Sequence, residues 1–70
     1  MQDITDFAAF VIEKRRAMGF STADLSEKVF GSRTNNYISD LETGRRKGIT
    51  FEMMVRILRQ LNTELSFNEL

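Results

Sequence analysis

Apolar residues return every three or four positions from the start of the chain. Ile4, Phe7, Ala8, Val11 and Met18 share one face of a helix predicted over residues 3–18. Gly19 then ends it, because the left-handed conformation that closes a helix suits glycine. Ser21, followed three residues on by Asp24 and then by Leu25 and Val29, marks a second helix over 22–29, since a serine hydroxyl accepts from the orphan N–H groups of a first turn. Residues 30–33 read as a turn. Thr34 is the predicted cap of a third helix over 35–43, with Ile38 and Leu41 inward and Gly44 closing it. After a polar loop at 45–48, Thr50 caps a fourth helix whose apolar set is Phe51, Met54, Val55, Ile57, Leu58 and Leu61. Beyond Asn62 the period changes to two: Leu65 and Phe67 alternate with Glu64, Ser66 and Asn68, which predicts a short strand over about 63–68. A lone strand leaves its backbone unpaired, so this one should pair with its counterpart in a second copy of the chain. The expected architecture is all-α, four to five short helices with a short C-terminal β-strand.

Composition narrows the chemistry. Seventy residues make one domain, and at this size folding hides only ~60% of the surface the unfolded chain exposes, which a partner subunit would offset. There is no Pro, no low-complexity tract and no internal repeat, hence no linker. The absence of both Cys and His removes disulfides, thiolate metal sites and the usual zinc ligand sets, and no cofactor is implied. It also leaves only scattered carboxylates and hydroxyls as general bases or nucleophiles, with no glycine-rich phosphate loop, so an enzyme is not expected. No apolar run approaches the ~20 residues needed to cross a bilayer and no secretion signal is evident, so a cytoplasmic location is expected and no membrane partner.

Net charge is zero, which alone argues against nucleic-acid binding, but the charge is unevenly placed. From residue 31 to residue 60, Arg33, Arg45, Arg46, Lys47, Arg56 and Arg59 face only Asp40, Glu42 and Glu52. Two short helices joined by a small turn, the second opening on exposed polar residues, is a geometry that lets a helix enter the DNA major groove. Here those residues are Asn35 and Asn36. An Asn amide both donates and accepts, matching adenine N6 and N7 as a bidentate pair. Asn beside a helix start also bonds local backbone, so the residue type by itself leaves both roles open.

The residues VIEKRRAMGFSTADLSEKV, then NNYISDLETGRR, then FEMMVRILRQLNTELSF together resemble the XRE family of helix-turn-helix repressors, the family of phage Cro and repressor proteins. The resemblance runs from Val11 to Phe67, about four fifths of the chain, and is most specific at ISDLETG. RILRQLNTELSF resembles the ending of HipB-like antitoxins. The resemblance implies a lambda-repressor-like domain in which Thr34, Asn35 and Asn36 begin the recognition helix and Asp40 lies one turn further along the same face. Base contacts would then come from Asn35, Asn36, Asp40 and Arg33. Backbone contacts would come from Ser21, Thr22, Thr34, Tyr37 and the basic loop Arg45, Arg46 and Lys47. Arg15 and Glu42 match a structural salt bridge between the first and third helices, and Leu61, Leu65 and Phe67 are the implied dimer interface. Between Leu25 and Glu42 the chain has two residues more than the family's usual spacing, placed here in the turn at Gly31, Ser32 and Arg33. Thr22 stands where the family often has Gln.

Some positions stay open at this level. Arg33 reaches a phosphate, a guanine or only solvent; Arg56 and Arg59 belong to a solvated or dimer-rim face; Phe10 and Ile12 lie off the inward stripe and form an exposed apolar patch or pack on the fourth helix or tail. The functional expectation is a homodimeric transcriptional repressor on an inverted-repeat DNA operator, with a cognate toxin as a further partner if the HipB-like ending carries over. A phage or mobile-element repressor, a restriction-modification controller protein, and an adaptor that has lost DNA binding are the alternatives.

Overall fold

Four helices make up the regular structure of residues 3–62, the part described by the computed structural model: α1 (Ile4–Ala17), α2 (Thr22–Phe30), α3 (Tyr37–Thr43) and α4 (Phe51–Gln60). Three of them start on a side-chain cap. The Asp6 N–H donates to the Asp3 carboxylate at 3.0 Å, the Asp24 N–H to Ser21 Oγ at 3.0 Å, and the Met53 N–H to Thr50 Oγ1 at 3.1 Å. Each bond satisfies a donor that the helix itself leaves without a partner. At Ser21 the cap is reciprocal, because the Ser21 N–H donates back to Asp24 Oδ2 at 2.8 Å. Lys14, Arg15 and Arg16 crowd the last turn of α1, where the helix dipole favours positive charge.

The core is built from all four helices. Phe7 and Val11 of α1, Leu25 of α2, Ile38 and Leu41 of α3, and Ile57 of α4, with Leu61 just beyond it, are each exposed by 2% or less. Removing one such side chain from water is worth ~1.5–3 kcal/mol, so these seven positions dominate the packing energy. The short α3 packs on both α1 and α2, and α4 packs on α2. A seven-residue helix has little stability of its own, and α3 persists because its two apolar residues are clamped between longer neighbours.

Several expectations are corrected. α2 runs one residue further, through Phe30, because Gly31 takes the left-handed conformation (φ 76°) and its N–H closes on the Glu27 carbonyl at 2.8 Å. The third helix starts at Tyr37 instead of residue 35. Phe51, expected to face inward, is 57% exposed; as the first residue of α4 it precedes the turn that meets the core, and the inward stripe is carried by Ile57, Leu58 and Leu61 with Met53 and Met54 partly buried behind them. Leu61, expected at a dimer interface, is buried among Phe7, Leu25 and Ile57 in the core of its own chain. The strand expected over 63–68, with Leu65 and Phe67, lies outside the described residues. Among the described residues no helix is long and apolar enough to cross a membrane.

Candidate functional site

The connection between α2 and α3 is held by its own polar side chains. The Thr34 N–H donates to Ser32 Oγ at 3.3 Å, and the two hydroxyls lie 3.1 Å apart. Asn35 Oδ1 accepts from the Tyr37 N–H at 2.7 Å, an Asx turn that bends the chain into α3. This is why Thr34 is not the cap and why the helix starts late: Ser32 holds Thr34, and the Asn35 side chain takes the first helical N–H. Beneath the turn, Ser26, 1% exposed, donates from Oγ to the Asn35 carbonyl at 3.1 Å and so anchors the lead-in to α2.

Asn35 and Asn36 are both exposed, immediately ahead of α3. Their chemistry differs. Asn35 commits its side-chain oxygen to Tyr37 and keeps the amide NH2 as a donor, whereas Asn36, the residue flanking the helix, makes no side-chain capping bond and offers both donor and acceptor. Asp40 follows in the first turn of α3 with its carboxylate partly exposed, 4.0 Å from Arg45 Nη1.

Arg33 folds back on α2. Its Nη1 donates to Asp24 Oδ1 at 2.8 Å and Glu27 Oε1 at 3.2 Å, which fastens the α2–α3 turn to that helix and raises the Arg33 pKa. The Asp24 carboxyl is held down to about 2, first by the Ser21 backbone N–H and then by Arg33. Ser21 and Thr22 sit at the leading end of α2, the Ser21 hydroxyl occupied as the cap. Arg15 and Glu42 meet across α1 and α3 in two hydrogen bonds of 2.8 Å each, and Arg15 Nη1 also donates to the Phe20 carbonyl at 2.9 Å.

Arg45, Arg46 and Lys47 are exposed in the loop after α3. Gly44, in the left-handed conformation at φ 81°, turns the chain so that the Arg45 and Arg46 N–H groups both close on the Asp40 carbonyl, at 3.0 and 3.1 Å. That return brings the Arg46 guanidinium over the Tyr37 ring, 3.9 Å from its centroid. The asparagine lead-in, the start of α3 and the basic loop therefore form one continuous surface. Three further residues help to shape it: Ser26, which the sequence left unassigned, Phe30, read there as part of a turn, and Arg56, read there as solvated or dimer-rim. Phe30 packs on Tyr37 with centroids 5.3 Å apart, and Arg56 lies over Phe30 and donates from Nη2 to the Val29 carbonyl at 2.9 Å. Arg56, itself exposed like Arg59, thus satisfies a carbonyl at the end of α2. Phe10 packs against the core with Lys14 over its ring, and Ile12 lines a cleft of about 310 Å³ between α1 and the basic loop, beside Ala8 and Ala9. Among the described residues no group of three or more Asp and Glu side chains converges as a metal site would.

Compared with protein-family models, curated proteins and solved structures, the chain matches none of them.

Proposed function

We propose that this protein is a sequence-specific DNA-binding repressor of the helix-turn-helix type, acting as a homodimer on an inverted-repeat operator. The observation that carries the reading is the exposed Asn35-Asn36 lead-in to α3, braced from below by Ser26 and flanked by the basic loop at Arg45, Arg46 and Lys47. In this reading α3 enters the major groove, and Asn36, exposed and making no side-chain capping bond, makes the bidentate contact to adenine. Asn35 donates from its NH2, and the loop cations hold phosphates on either side. Two copies reading half-sites one helical turn apart, ~34 Å, block transcription by occupying the operator. The alternating Leu65 and Phe67 support the dimer at the level of sequence, as the resemblance to XRE repressors supports the family. A HipB-like role, in which the same dimer restrains a toxin and represses its own operon, is the finer form of this proposal.

The ion pairs of Arg33, the partly exposed Asp40 and the zero net charge favour a second reading, a protein-interaction adaptor that has kept the fold and lost DNA binding. Titration of a labelled duplex of random sequence at two salt concentrations separates them. A DNA-binding dimer loses affinity with a log–log slope of about 0.9 per phosphate neutralised. Binding that is absent, or that ignores salt, rejects the repressor and leaves the adaptor.

A further inference from the structure

Three adjacent cations stand in the loop after α3, and their surroundings are not alike. The Arg46 guanidinium lies over Tyr37, 3.9 Å from the ring centroid, Tyr37 packs on Phe30 with centroids 5.3 Å apart and the rings tilted by 48°, and the Arg56 guanidinium lies over Phe30 at 5.6 Å. The result is a chain of contacts through four side chains, two cations and two rings, drawn from the loop, the start of α3, the end of α2 and the middle of α4. Both ends are pinned: Arg46 Nη1 donates to the Gly48 carbonyl at 3.2 Å, and Arg56 Nη2 donates to the Val29 carbonyl at 2.9 Å. All three cations are exposed, and what sets Arg46 apart is its contact with Tyr37; Arg45, its side chain 78% exposed, lies 4.0 Å from Asp40.

We infer that Arg46 is a preorganised clamp for a phosphodiester group, and that Tyr37, Phe30 and Arg56 are the positioning residues that aim it. This rests on the DNA-binding reading and says which of its cations does more than supply charge. A guanidinium is a rigid plane with five N–H donors, of which the Gly48 carbonyl takes one here. A guanidinium that rests on a ring by its face keeps its edge open, and that edge matches two oxygens of a phosphate. Ordering a long side chain on binding ordinarily weakens affinity by roughly threefold to tenfold, and for Arg46 that ordering precedes the ligand. Arg45 and Lys47 carry the same charge without it. Lys at position 46 would keep the charge and lose the planar edge, so charge and geometry are separable by one substitution.

The test uses the full chain and a fluorescein-labelled 24-base-pair duplex of random sequence, followed by anisotropy across a salt series. Arg46→Lys is expected to weaken binding about tenfold with the salt slope unchanged, and Arg45→Lys by no more than about twofold. Tyr37→Leu should lose as much as Arg46→Lys, and Tyr37→Phe should restore most of that loss, because Arg46 rests on the ring and not on the hydroxyl. In the free protein, NMR should show the Arg46 side-chain protons shifted upfield by the Tyr37 ring in wild type and Tyr37→Phe, and unshifted in Tyr37→Leu. Equal losses for Arg46→Lys and Arg45→Lys, or unshifted Arg46 protons in the wild type, overturn the clamp while leaving DNA binding intact. Failure of the wild type to bind the duplex at low salt overturns both readings together.

Discussion

Arg15 and Glu42, 27 residues apart, face each other in two parallel hydrogen bonds of 2.8 Å, with side chains only 11% and 8% exposed. The carboxylate raises the Arg15 pKa against the opposing effect of burial. Because Arg15 also holds the Phe20 carbonyl, this one side chain ties α1 to α3 and to the α1–α2 connection. Removing one partner leaves the other charge without compensation in a shielded place. Glu42→Gln should therefore lower stability by about 3 kcal/mol, a large share of the ~3–5 kcal/mol available to a chain of this size. The paired change Arg15→Met with Glu42→Leu should recover most of the loss. Urea denaturation of the three variants measures this, and a double variant no better than Glu42→Gln would contradict it.

The carboxyl of Asp24 titrates at about 2 instead of the ordinary 3.8. The fold favours its charged form, so its contribution to stability is present above pH 3.8 and disappears as the pH falls toward 2. A carbon-13 titration should place the midpoint there. In Arg33→Ala the midpoint should rise yet stay below the ordinary value, since the Ser21 N–H is the larger cause. A full return to 3.8 in that variant would assign the shift to Arg33 alone.

Ser26 has its hydroxyl beneath the asparagine lead-in, on the Asn35 carbonyl. Ser26→Ala should cost about 1 kcal/mol and loosen the approach to α3 ahead of the rest of the fold. Hydrogen exchange at the Tyr37 amide, which bonds Asn35 Oδ1, reports that loosening. Unchanged protection there would mean the turn holds itself without α2.

The parts of this architecture legible in the sequence are those fixed locally. Asp24 behind Ser21 and Thr50 ahead of Met53 are contacts across three residues, and they set the starts of α2 and α4. The start of α3 was not legible because Ser32, Thr34 and Asn35 can all accept from nearby N–H groups, and the sequence does not rank them. Asn35 took the Tyr37 N–H, and the helix shortened by two residues. The Arg56 to Val29 bond spans 27 residues and exists only because α4 packs on α2, so helical spacing gave no sign of it. Phe51 and Leu61 fell to the same limit: periodicity identifies an apolar face but not which end of it meets the core and which residues reach past it.

Phe51 is 57% exposed and Ile57 fully buried on the same helix. Phe51→Ser should change stability by no more than about 0.5 kcal/mol. Ile57→Ala should cost about 2–5 kcal/mol through the cavity it leaves. Thermal melts of the two variants compare them directly, and a large loss for Phe51→Ser would show that something else covers that ring.

The claim on which the functional reading stands is that the amides ahead of α3 read nucleobases. Selection from a pool of duplexes with a randomised centre, run with the wild type and with Asn36→Ala, tests it most directly. The wild type is predicted to enrich an inverted repeat containing a required adenine, and Asn36→Ala to relax that position by the equivalent of about 1–3 kcal/mol while the rest of the motif survives. A wild-type protein that enriches no sequence, or a motif unaltered by Asn36→Ala, would contradict it.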